Sequence, residues 1–65
     1  MRLHEQLGEA INSRDLRAVM SIVRHFRLNV GLDYETIFRV ATKAVPGLTL
    51  PAWDALLLEC ERQRS

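Results

Sequence analysis

Three times in this chain an apolar residue is followed directly by a capping residue and, four positions after the cap, by a second apolar residue: Ile11-Asn12 with Leu16, Leu32-Asp33 with Ile37, and Leu48-Thr49 with Trp53. This is the spacing of the hydrophobic staple around a helix N-cap, in which the side-chain oxygen accepts an orphan N–H of the first turn. Within 65 residues, three internal helix starts leave room for about four short helices and little else.

The apolar residues between these starts recur at helical spacing. Leu3, Leu7, Ala10 and Ile11 share one face and predict a first helix from Arg2 to Ile11, its interior weakened by Gly8. The second helix is expected to begin at about Ser13 behind an Asn12 cap, with Asp15 at its third position. Its inward face is Leu16, Val19, Ile22, Val23 and Phe26, and it should end near Leu28 or Asn29, since Asn29 and Gly31 tolerate left-handed geometry. Asp33 caps a third helix, Tyr34 to Ala44, that turns Ile37, Phe38, Ala41, Ala44 and Val45 inward and stops at Pro46-Gly47. Thr49 caps a fourth, Leu50 to Arg62, with Pro51 tolerated in its first turn and Trp53, Leu56, Leu57 and Cys60 on its inward stripe. No run alternates with a period of two and no Asn-Gly or Asp-Gly hairpin signal occurs. The fold class is therefore all-α: a compact bundle of about four short helices, arranged as two helical hairpins because short connections favour sequential neighbours. Trp53, Phe38, Phe26, Val19, Ile22 and Leu56 are its expected core. No consensus of a repeated unit is present.

Composition fits a folded domain over residues 1–65, with 48% hydrophobic and 26% charged residues. A domain this short buries only about 60% of the surface its unfolded chain exposes, which favours association with a partner or a second copy. The single cysteine cannot close an intramolecular disulfide, so a reducing, cytoplasmic setting is expected. The N-terminal segment carries charges where a signal peptide needs an apolar run, and no stretch has the roughly 18 apolar residues of a membrane span. Nine Lys+Arg against eight Asp+Glu leave a net charge of +1, far from the balance of a dedicated nucleic-acid binder.

Catalytic groupings are scarce. Cys60 would need His25 or His4 nearby to become a nucleophile, and its place on an apolar stripe argues instead for a small core residue. Two histidines and one cysteine reproduce no metal-ligand spacing. Asp54, Glu59 and Glu61 point in different directions around one helix, as a solvated face would. Gly8, Gly31 and Gly47 are isolated and build no phosphate loop. The expectation is a non-enzymatic protein with no cofactor and no metal.

Two surfaces remain. Arg14, Arg17, Arg24 and Arg27 are spaced to run along one edge of the second helix, where arginines can grip phosphates in bidentate fashion or pair with acidic neighbours. The fourth helix is excluded as a base-reading helix, since it offers no early basic or amide side chain and carries Asp54, Glu59 and Glu61. Leu58 lies on the side of that helix away from Trp53, among Asp54, Ala55 and Arg62, and with Ala55 forms a small apolar strip that another helix can cover. The sequence thus ranks first a helical protein-protein interaction or regulatory module that self-associates, as a homodimer, through Leu58, Ala55 and Arg62. A nucleic-acid-binding regulator using the arginine row ranks second, and membrane attachment is not expected.

Overall fold

The computed structural model describes residues 2–64. Four α-helices follow one another, α1 (Leu3–Ser13), α2 (Leu16–His25), α3 (Tyr34–Ala44) and α4 (Leu50–Arg64), and the described residues contain no strand. The Cα radius of gyration is 10.7 Å, matching the value of about 11 Å for a compact chain of this length. The protein is a small all-α bundle.

The two later starts lie where their caps place them. Asp33 Oδ1 accepts the Thr36 N–H at 2.8 Å, and Thr49 Oγ1 accepts the Ala52 N–H at 3.3 Å. The first start is corrected. Asn12 lies inside α1, and the cap of α2 is Asp15, whose Oδ1 accepts the Ala18 N–H at 3.3 Å. The reason is Arg14, which adopts φ 55° and ψ 37°. Its N–H reaches the Ile11 carbonyl and the Asp15 N–H reaches the Ala10 carbonyl at 2.9 Å, the paired bonds of a Schellman stop. A left-handed residue with a side chain costs roughly 1–2 kcal/mol, and glycine is the usual occupant of this position. Arginine there gives no sequence signal that the helix ends. The end of α2 differs in kind: the regular helix stops at His25, and a π-helical turn, Phe26–Val30, carries it to within a residue of the expected end near Leu28 or Asn29. Gly31, at φ 85°, closes that turn.

Packing follows from which helices approach closely: α1 on α2, α1 on α3, and α2 on α4. The closest α1–α3 approach needs Gly8. A Cβ built there would sit 2.9 Å from the Ala44 Cβ, so the residue that weakens α1 as a helix is the one that seats it. Helices α3 and α4 are sequence neighbours, yet they are not among the close backbone pairs. They meet through side chains, with the Phe38 and Trp53 rings 6.4 Å apart. The second expected hairpin is therefore splayed.

Leu7, Val19, Ile37, Ala41 and Trp53 are fully or almost fully buried, and Ala10, Ile22, Val23, Phe26, Leu56 and Cys60 complete the core around them. Phe38, expected inside, is only half-buried, because the splay leaves one side of its ring on the surface. Among the described residues, no buried side-chain nitrogen or oxygen lacks a hydrogen-bond partner, and no helix is long and apolar enough to cross a membrane.

Two predictions follow from these elements. Gly8→Ala should lower stability by about 1–3 kcal/mol through overpacking against Ala44, although alanine is the better helix former by about 1 kcal/mol; a raised urea midpoint would mean that α1 is not seated on α3. The second concerns Asp33, whose carboxyl is held below its ordinary value of 3.8 chiefly by the bond from Thr36. Its folded pKa is depressed, so its stabilising contribution is present above 3.8 and is lost as pH falls through the lower folded value. Asp33→Asn should flatten the decline in denaturation midpoint across that acid window. An unchanged slope would exclude Asp33 as a contributor.

Candidate functional site

The site is built on α4 by the way that helix is turned. Trp53, Leu56 and Cys60 enter the core. At 100° per residue, Leu58 lies about 140–160° around the helix from each of them. A position aimed away from the core is thus a leucine, and it is 63% exposed. Asp54 and Arg62 lie one helical step of four on either side of it, Ala55 one step of three before it, and all are exposed. Leu58, Ala55 and Arg62, the three expected partner-binding residues, share this face, with Asp54 beside them as their spacing implies.

Beside this face runs an open groove of about 720 Å³ between the splayed α3 and α4, walled by Tyr34, Phe38, Leu50, Trp53 and Leu57. Leu50 and Tyr34 are about half exposed. A narrower crevice that shares Tyr34 and Leu57 continues it toward Met20 and Leu28 under the π-helical turn. Sequence reasoning missed this groove. Its signals were Tyr34 four before Phe38 and Leu50 seven before Leu57, which extend the apolar faces of the two helices beyond the inward stripes. The rim is charged, with Glu35 joined to Arg39 at 3.3 Å on one side and Asp54 on the other.

Of the arginine row, Arg17, Arg24 and Arg27 follow one another along α2 and its π-helical continuation, and Arg14 lies outside it. Arg14 is in the turn before α2, where its Nη2 lies 2.9 Å from Glu59 Oε2 of α4. Arg27 is in the π-helical turn, its guanidinium 4.3 Å from the Tyr34 ring centroid and donating to the Tyr34 hydroxyl at 2.8 Å. Arg17 and Arg24 remain exposed on α2. The residues expected to act together are split between a tether to α4, a cation–π stack and two solvated side chains.

Cys60 is a core residue. Its thiol points at the Leu16 carbonyl, Sγ to O 3.6 Å, and burial pushes its pKa up, with Glu59 adding to the effect. Both influences disfavour the thiolate that nucleophilic chemistry requires. His25 is engaged elsewhere, with Asn29 Nδ2 2.9 Å from its Nδ1. Among the described residues, no three His, Cys, Asp or Glu side chains gather as a metal would need.

No protein-family model, curated protein or solved structure matches this chain. The functional reading therefore rests on the site itself.

Proposed function

We propose that this protein is a small, non-enzymatic helical interaction module that self-associates through the outer face of α4. One observation carries the proposal: the position opposite the core stripe of α4 is Leu58, 63% exposed and flanked by the small Ala55. Burying a leucine side chain fully is worth about 1.5–3 kcal/mol, so an association that covers it removes a standing cost. Leu50, the Tyr34 ring and the groove between α3 and α4, which Asp54 also borders, offer further exposed apolar surface. A chain this small has little core of its own, which increases the benefit of covering that surface. Arginine-mediated nucleic-acid binding ranks below this reading, because Arg14 is paired with Glu59 and Arg27 is stacked on Tyr34. A reducing compartment such as the cytoplasm is part of the proposal, in keeping with a free, buried Cys60.

Sedimentation equilibrium with far-ultraviolet circular dichroism on wild type and Leu58→Asp tests it. The wild type should behave as a dimer that dissociates on dilution. The variant should be a monomer of unchanged helicity, since Leu58 contributes nothing to the core cluster. A wild type that stays monomeric at all concentrations, or a variant of unaltered mass, would refute self-association through this face.

A further inference from the structure

The outer row of α4, read in steps of four, is Leu50, Asp54, Leu58 and Arg62. Its central leucine is flanked by opposite charges at equal distance, roughly 6 Å of helix rise on either side. This arrangement restricts how a second copy can be seated. A parallel two-fold would set Asp54 on Asp54 and Arg62 on Arg62, two like-charge pairs. An antiparallel two-fold through Leu58 sets leucine on leucine and places each Asp54 against the other chain's Arg62. Sliding the antiparallel pair by one step in either direction puts Leu58 against a charge, against Asp54 one way and against Arg62 the other. One orientation and one register satisfy both the apolar residue and the charges.

We infer that α4 of a second copy docks antiparallel on this face about a two-fold axis at Leu58, locked by two reciprocal Asp54–Arg62 ion pairs. The inference rests on the self-association reading and adds the orientation, register and specificity of the contact. The crossing angle follows from the same residues. Rows of residues four apart lie along one another when two helices cross at about −50°. A shallow crossing would instead turn Asp54 toward the partner's Glu61, so the acidic side chains select the steep class. Ala55, with only a methyl group beside the axis, lets the backbones approach.

Charge reversal tests the inference and separates its failure from that of the broader reading. Asp54→Arg alone and Arg62→Asp alone should each weaken self-association at least about tenfold, because each makes both cross-chain pairs repulsive. Mixed in equal amounts, the two variants should form a heterodimer of near wild-type affinity, since every pair across it again joins Arg to Asp. The double variant Asp54→Arg, Arg62→Asp should regain the homodimer. Circular dichroism on each variant checks that helicity is retained, as expected for exposed positions. A mixture that associates no better than its components would overturn the antiparallel register, even if Leu58→Asp still dissociates the wild type. A monomeric wild type would overturn the self-association reading itself.

Discussion

Burial of Trp53 fixes the rotation of α4 about its own axis. The side chain is 1% exposed and is the largest of the fully buried residues. At 150–250 Å² of apolar surface for an aromatic of this kind, that burial is worth roughly 4–6 kcal/mol. This is of the order of the entire net stability of a small domain. Turning α4 to expose Leu56 or Cys60, or to bring Leu58 inward, would draw Trp53 out of the core. The outward position of Leu58 is therefore a consequence of the core and not a local accident. Arg14 adds a polar tether from the α1–α2 turn to Glu59, although an exposed pair of this type contributes no more than about 1 kcal/mol.

The same constraint opens the groove. With α4 held on α2 and α3 held on α1 by the Gly8–Ala44 approach, the last two helices are carried by different partners. The Phe38 ring nears Trp53, and the space beside them is lined by exposed and half-buried side chains of both helices. Local geometry thus leaves an apolar-walled groove between α3 and α4, while Arg14 and Arg27 are taken up by Glu59 and Tyr34. The exposed leucine, the groove and the dispersal of the arginines have one origin in how the helix pairs are assembled.

What the sequence discloses and what it withholds divide along physical lines. The starts of α3 and α4 were legible because Asp33 and Thr49 act within one turn of themselves, and the inward stripes were legible because helical periodicity is local. The α1–α2 boundary was not, because a Schellman stop built on Arg14 uses a backbone conformation that arginine does not advertise. The π-helical turn after His25 left no trace in residue spacing either. Phe38 and the groove depend on how far apart two helices are held by other helices, a tertiary quantity that periodicity cannot carry. Leu58 could be read early because it departs from a pattern, and an apolar residue opposite a core stripe is visible in one helix alone. Its neighbours Asp54 and Arg62 acquire meaning only when a second copy of that helix is set against the first.

The central claim is that the core turns Leu58 outward onto a two-fold axis, and a thiol placed there tests it most directly. In a Cys60→Ala background, Leu58→Cys should form an intermolecular disulfide under mild oxidation. Two-fold-related Cα atoms at the axis of closely crossing helices fall within the roughly 4.4–6.8 Å that the bond requires. A control Ser21→Cys in the same background, on the exposed side of α2, should not cross-link. Covalent dimer from the position-58 thiol, well above the control and formed without loss of helicity, is the expected result. A position-58 thiol that cross-links no faster than the control would contradict the account.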